Sequence, residues 1–352
     1  MPHRDVKLDF LERLGLELPI IQAPMAGVQG SALAIAVSNA GGLGSLPCAM
    51  LSLEALRREL ETLRAQTSRP FNLNFFCHQS PVPDAAVEQV WRERLGAYYT
   101  ELGVDPASVT AGPARQPFNA DMAALVAEFR PAVVSFHFGL PAPELLEIVR
   151  ASGALILASA TTVDEALWLE AHGVDAVIAQ GVEAGGHRGM FLTEDISTQV
   201  GIFALLPQVV RAVKIPVIAA GGIADAAGVQ AALVLGAVAA QIGTAYLLCP
   251  EATTSVVHRA ALRSEGARVT ALTNVFSGRP ARGIVNRLVR EVGPMSPLAP
   301  AFPLATPASA PLRAKAESQG SGDFSPLWAG QNVSGCAEIP AAELTRRLAG
   351  RG

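Results

Sequence analysis

Residues 174–189 read VDAVIAQGVEAGGHRG, an unbroken apolar run that stops in a glycine-rich turn carrying one histidine. The run at 174–179 lacks the alternation of a half-solvated strand, is bounded by Gly173 and follows a helix-like segment. That is the pattern of a parallel strand buried on both faces. The turn then stands at the strand's carboxyl end, with His187 displayed there, and in α/β proteins this end is where ligands bind. Gly181, Gly185 and Gly186 let the backbone approach a flat or anionic ligand where side chains would stand in the way. Taken alone, the segment reads equally well as a strand-to-helix loop with a surface histidine.

The same unit recurs on either side. Strands are expected at 19–23, 43–46, 71–76, 132–138, 155–160, 174–179, 216–220 and 238–242. Between them lie helical patterns at 31–39, 53–63, 85–102, 121–129 and 199–213. Ser52 caps the helix at 53–63, whose Leu53, Leu56, Leu60 and Leu63 share a face. Thr162 and Glu165 form a capping box for a helix ending at Gly173, and Asp225 caps one ending at Gly236. Eight strands alternating with helices predict an α/β protein of the (β/α)8 TIM-barrel type, with a doubly wound open sheet as the competing architecture. The count of eight favours the barrel. So do Gly221-Gly222 and Gly243-Thr244 after strands seven and eight, where phosphate sites recur in such barrels.

Beyond residue 250 the rhythm breaks. Helix-like pieces at 251–265 and 282–291 give way to a proline-rich stretch at 294–311. The expected organisation is a barrel at 1–249 and an additional, mostly helical lid at 250–319. A segment at 320–352 then packs back on the barrel with a helix at 341–348.

Composition narrows the class. Half of the 352 residues are hydrophobic and 16% are charged, which supports a large core and excludes extensive disorder. A net charge of −4 with no basic block argues against nucleic acid as a partner. Cys48, Cys77, Cys249 and Cys336 lie far apart without metal-type spacing, as reduced thiols of a cytoplasmic protein do. The first fifteen residues hold no apolar signal core, and no run reaches membrane-spanning length, so no membrane association is expected.

The strand ends carry the chemistry. Backbone amides at Gly221-Gly222 and Gly243-Thr244, aided by a helix N-terminus, can hold a phosphate without a basic side chain. No G-x-G-x-x-G follows a strand, so a mononucleotide such as FMN fits better than a tightly held NAD. Asn74, Gln180 and Gln241 are amides at or near strand ends that match the mixed donor and acceptor edge of a flavin. Any single one is more often occupied with loop backbone. His187 outweighs His137, which lies in the apolar run AVVSFHFG and reads first as a core residue. His3, His172 and His258 read as surface residues, and His78, directly after strand three, stays open. Neither metal-type His/Asp/Glu spacing nor a G-x-S-x-G elbow occurs.

Several strings together carry a resemblance: QAPMAGV (22–28), NAGGLGSL (39–46), FNLNFFCH (71–78), QGVEAGGHRG (180–189) and AAGGI (219–223). SFHFG (135–139), QIGTAYLLCPE (241–251) and WAGQ (328–331) extend it over nearly the whole chain. The sequence resembles the nitronate monooxygenases, formerly 2-nitropropane dioxygenases, of the bacterial class I type. The resemblance implies an FMN-dependent barrel that oxidises alkyl nitronates, propionate 3-nitronate above all, with O2. The products are a carbonyl compound and nitrite, by single-electron transfer to the flavin. It implies His187 as the catalytic residue and His137 as the second histidine of the substrate pocket. Met25, Asn74, Gln180, Gly185, Gly222, Gln241, Ile242, Gly243 and Thr244 are implied to bind or adjoin FMN. At 302–312 the family carries tyrosine and lysine, whereas this chain reads FPLATPASAPL. A homodimer is a further expectation. The alternatives are an FMN-dependent NAD(P)H:quinone or enoyl-thioester reductase and, in a different class, a non-catalytic barrel with or without flavin.

Overall fold

A computed structural model describes residues 10–109 and 115–351. Its strands are β1 (Ile20–Gln22), β2 (Gly44–Pro47), β3 (Phe71–Phe76), β4 (Val133–His137), β5 (Leu155–Ala160) and β6 (Ala176–Gln180). They continue with the short β7 (Gly186–His187), then β8 (Val217–Ala220), β9 (Ala239–Ile242), β10 (Thr270–Thr273) and β11 (Ala281–Ile284). Eight of them form one parallel sheet in the order β1-β9-β8-β6-β5-β4-β3-β2. A parallel bridge between Ile21 and Leu43 joins its edges. There Leu43 N–H donates to the Ile20 carbonyl and Gln22 N–H to the Leu43 carbonyl, at 2.9 Å each. The architecture is the expected (β/α)8 barrel.

Burial on both faces explains why the strands read as continuous apolar runs. Val133, Leu157, Ile178 and Ile218 fill one cluster, which Phe10, Leu14 and Leu16 also enter. Their neighbours Val134, Ile156, Val177 and Val217 belong to another, which packs against helix residues such as Leu60, Val126, Leu205 and Val209. Successive side chains point to opposite faces of a strand, so the first set fills the barrel and the second anchors the helices.

Local signals mostly hold. The Ser52 hydroxyl accepts from Ala55 N–H in the helix Leu53–Gln66, which buries Leu56, Leu60 and Leu63 but leaves Leu53 exposed. Asp225 accepts from Gly228 N–H at 2.8 Å. The capping box at Thr162 is only half made. Thr162 accepts from Glu165 N–H, but the fully buried Glu165 carboxylate accepts instead from Thr161 and from Phe191 N–H.

Departures concentrate outside the barrel. The helix expected at 85–102 is two, Ala85–Arg94 and Gly96–Leu102, and the one at 199–213 shortens to Ile202–Ala212. Pro143–Ala151 forms a helix absent from the sequence pattern above, and 251–265 shortens to Val256–Arg263. The region after the barrel is not purely helical. Residues expected as helix at 282–291 begin as β11, which pairs antiparallel with both β10 and β7 in a three-stranded sheet. Within the proline-rich stretch, the helix Thr306–Ser318 starts next to Pro307 and tolerates Pro311. Proline suits a first turn, and Pro311 removes one hydrogen bond close to the helix start.

A second core joins Trp91, Tyr98 and Tyr99 to Phe276, Leu288, Leu312 and Phe324. The two helices inserted after β3 thus pack on the segment that follows the barrel. The helix Ala341–Leu348 returns to the barrel through Leu344 and Leu348, beside Leu33 and Val37. All four cysteines are free thiols. Among the described residues no helix is long and apolar enough to cross a membrane.

Candidate active site

Every residue implied as catalytic, substrate-binding or FMN-binding lines one cavity at the carboxyl ends of the barrel strands, whereas Gly181 of the quoted turn does not. Asn74 comes from β3, His137 from β4, Gln180 from β6, and Gln241 and Ile242 from β9. Met25 follows β1, Gly185 and His187 follow β6, Gly222 follows β8, and Gly243 and Thr244 follow β9. The cavity volume is about 180 Å³, room for on the order of a dozen waters. No aspartate or glutamate is among its lining residues, and Arg115 is the lining side chain that carries a full charge.

The turn bearing His187 is fixed from several sides. Gln180 uses both ends of its amide on it: Nε2 donates to the His187 carbonyl at 3.1 Å and Oε1 accepts from Gly189 N–H at 2.8 Å. His137 Nε2 lies 3.2 Å from the same carbonyl. A carbonyl only accepts, so this nitrogen carries the proton and Nδ1 accepts from the Ser159 hydroxyl at 3.0 Å. Arg188, fully buried, donates to the carbonyls of Gln180 and Gly181 at 2.7 Å each and to Gln199. Gly186 sits at φ +74, a left-handed conformation that glycine adopts freely. A Cβ on Gly185 would lie 2.6 Å from the Gly330 nitrogen. Gly330 N–H in turn donates to Thr244 Oγ1 at 2.9 Å.

The His187 ring lies among Phe76, Phe138, Phe302 and Trp328, with centroids 5.2 to 6.3 Å away. Its Nε2 is 2.9 Å from Ser277 Oγ. The Ser277 hydroxyl hydrogen is directed to the Arg279 carbonyl, so Oγ accepts from Nε2–H and the lone pair of His187 falls on Nδ1. Desolvation first, then the charges of Arg115, His137 and Arg279, hold this imidazole well below its ordinary value. Burial likewise lowers His137 to about 4. His78, which the sequence left open, is buried and lowered to about 4, chiefly by desolvation.

His258 corrects the sequence reading. It is buried rather than on the surface, lines the cavity, and is lowered to about 4 by desolvation. It shares the inward face of its helix with Val257 and Leu262. His172 is exposed, as expected, and His3 lies outside the described residues.

The fit of a flavin mononucleotide is tested by groups the protein leaves unpaired. Gln241 Oε1 is buried without a hydrogen-bond partner among the described residues. An orphaned buried acceptor is costly unless a ligand satisfies it. A ring N–H in the cavity is such a donor. Gly221 at φ +117 and Gly222 at φ +72 lead to the N-terminus of the helix Ala226–Val234, the geometry that cradles a phosphate. Gly243 is tight as well, since a Cβ there would meet Ala23 Cβ at 3.3 Å and Met25 Sδ at 3.5 Å. These residues fit the group.

Sequence reasoning missed Ser277, Arg115 and Ser159. Ser159 stands next to last in β5, Ser277 and Arg115 come from connections between elements, and none of the three carries a motif. Arg188 lay inside the quoted turn, next to His187, without being singled out.

Comparison with known proteins agrees with this geometry. The family model described as nitronate monooxygenase matches residues 9–350. A protein of Paraburkholderia phytofirmans named nitronate monooxygenase is 44% identical over 97% of this chain and 94% of its own length. One of Pseudomonas aeruginosa with the same name is also 44% identical, over 96% of this chain and 97% of its own. Among solved structures, nitroalkane oxidase from Streptomyces ansochromogenes superposes with a TM-score of 0.87 at 40% identity, covering 97% of both chains. FabK from Thermotoga maritima follows at a TM-score of 0.72 and 26% identity, over 97% of this chain and 95% of its own. A barrel that gathers these residues at one rim, matched along nearly its full length, makes this chain an enzyme of the nitronate monooxygenase family.

Proposed function

We propose that the enzyme binds FMN in this cavity and oxidises alkyl nitronates, propionate 3-nitronate among them, with O2 to a carbonyl compound and nitrite. The observation that carries the reading is the pairing, on one cavity without carboxylates, of the orphaned Gln241 acceptor with the neutral imidazole of His187. The bound cofactor supplies one-electron redox chemistry between the nitronate and O2.

The chain's own residues bind, orient and move a proton. Gln241 accepts from a ring N–H. Gly222, Gly243, Thr244 and the adjacent helix N-terminus hold the phosphate. Asn74, Gly185, Ile242 and Met25 complete the wall. Gln180 and His137 act on the His187 carbonyl and set its backbone. His187 Nδ1 removes the α-proton when a neutral nitroalkane is supplied, because a neutral imidazole is a competent base. With a preformed nitronate no such proton is present, and the same ring orients the anion. Phe76, Phe138, Phe302 and Trp328 keep bulk water from it. Four free thiols suit a reducing cytoplasm.

The test is nitrite release from propionate 3-nitronate in air, with and without NADH. The expected result is nitrite formation that depends on O2, with two nitrite per O2 when both oxygen atoms enter carbonyl product, and is indifferent to NADH. Steady NADH oxidation with a quinone or enoyl thioester, and no nitrite, would replace this reading with a reductase. A colourless protein that takes up no FMN would remove the cofactor from it.

A further inference from the structure

We propose that Arg115 is the anion anchor of the substrate end of the cavity, binding the carboxylate of a nitronate that carries one. The inference rests on the nitronate reading above and names its substrate class.

Arg115 is half-buried and lines the cavity with His187. Its guanidinium lies 5.5 Å from the centre of the Phe302 ring and donates to Thr306 Oγ1 at 3.1 Å. Thr306 Oγ1 donates onward to the Phe276 carbonyl at 3.0 Å, so the hydroxyl that receives the guanidinium is itself held. Among the described residues no carboxylate lies within 4 Å of Arg115, although most of the chain's other arginine ion pairs involve exposed side chains. A cation drawn partly out of water without a counter-ion is costly unless a ligand brings the opposite charge. The cavity lining brings none of its own.

Position separates this cation from the phosphate cradle. Phe118 N–H donates to the Phe76 carbonyl at 2.8 Å, docking the segment that starts at Arg115 on the end of β3. In the order of the barrel, β3 stands four places from β8, whose end carries Gly221 and Gly222. Arg115 therefore faces the cavity from the wall opposite the glycines, beside the reacting end marked by His187. The proximity is also electrostatic, since its charge is among those acting on the His187 ring. A planar guanidinium offers paired N–H donors that match a carboxylate.

The test compares two nitronates in the FMN-loaded enzyme: propionate 3-nitronate, which bears a carboxylate, and ethyl nitronate, which does not. In Arg115→Met the KM for propionate 3-nitronate is expected to rise about tenfold or more. The constants for ethyl nitronate should stay within about twofold, and Arg115→Lys should recover part of the loss. The flavin-to-protein ratio should not change. Equal effects on both nitronates, no effect on either, or loss of FMN would overturn the anchor. A second readout is independent of turnover: calorimetric binding of 3-nitropropionate should weaken about tenfold in Arg115→Met while that of 1-nitropropane stays the same. If wild type releases no nitrite yet binds 3-nitropropionate through Arg115, the nitronate reading fails and the anchor stands. If it releases nitrite without any dependence on Arg115, the anchor fails and the reading stands.

Discussion

The imidazole Nε2 of His187 lies 2.9 Å from the hydroxyl of Ser277, a residue from the loop between β10 and β11. The contact directs the ring proton to Nε2 and leaves Nδ1 basic. His187→Asn should therefore lower turnover of a neutral nitroalkane by about 10² or more while retaining much of the activity on preformed nitronate. Ser277→Ala frees the tautomer, and its loss on nitroalkane should be roughly tenfold to a hundredfold, as for groups that orient a reacting residue. Because burial holds the ring well below 6.5, the rate on nitroalkane should be independent of this histidine above that pH and fall only in acid. Paired measurements of kcat/KM on both substrate forms check the division, and equal losses on both would refute it.

Gln241 gives a test in which stability and binding move apart. Its buried Oε1 has no partner among the described residues, so the flavin-free protein gains nothing from it. Gln241→Leu should leave the melting temperature of the flavin-free protein unchanged or raised. FMN affinity should fall by about 1–3 kcal/mol, the value of a buried hydrogen bond left unmade. Fluorescence titration with FMN and a thermal melt of the stripped protein read the two effects. A drop in apoprotein stability with unchanged FMN affinity would mean that the amide serves the fold.

Gly185 is required by a close approach of two backbones. A Cβ there would meet the Ala329 carbonyl carbon and the Gly330 nitrogen at 2.6 Å, and neither is the end of a flexible side chain. Gly185→Ala should push the 328–331 segment away, cost about 1–3 kcal/mol as overpacking does, and loosen the Gly330 bond to Thr244. Urea unfolding and the bound flavin fraction both report it. A variant as stable and as yellow as wild type would show that the segment moves freely.

The barrel was legible because its signal is local. Each strand is buried on both faces, so Val177 and Ile178 are both apolar although one faces the helices and the other the lumen. Strand-end candidates followed from topology, since eight parallel carboxyl ends must converge on one rim. Long-range pairing was not legible. Most of the segment Ala281–Ile284 reads as the start of a helix until it is set beside Gly186 and His187, which pair with it as a strand. Ser277 and Arg115 reach the site from connections whose course the strand pattern does not dictate. The helix Thr306–Ser318 did not stand out from the proline-rich stretch because the place of a helix start within such a run is set by packing, here through Ala308 and Leu312. His258 was misread for a related reason. Beside Val257 on a short helix, a lone histidine can turn to either face, and only the packed helix shows which.

Four histidines should give the enzyme a steep acid limit. His78, His137 and His258 are lowered to about 4, and His187 well below its ordinary 6.5, with desolvation the leading cause in each. Between pH 6.5 and about 4 the unfolded chain binds protons at these sites that the folded chain does not. Stability then rises with pH across that window, is fully present above about 6.5, and is lost as pH falls through it. Each site contributes up to ~1.4 kcal/mol per pH unit, so the four together approach about 5 kcal/mol per pH unit near pH 5. Urea midpoints from pH 4 to 7.5 should follow that slope, and calorimetry in buffers of different ionisation heat should find roughly four protons taken up on unfolding. Replacing His258 with Gln should remove about a quarter of the dependence. Midpoints that stay level between pH 5 and 7 would show that these imidazoles titrate as freely in the folded protein as in the unfolded chain.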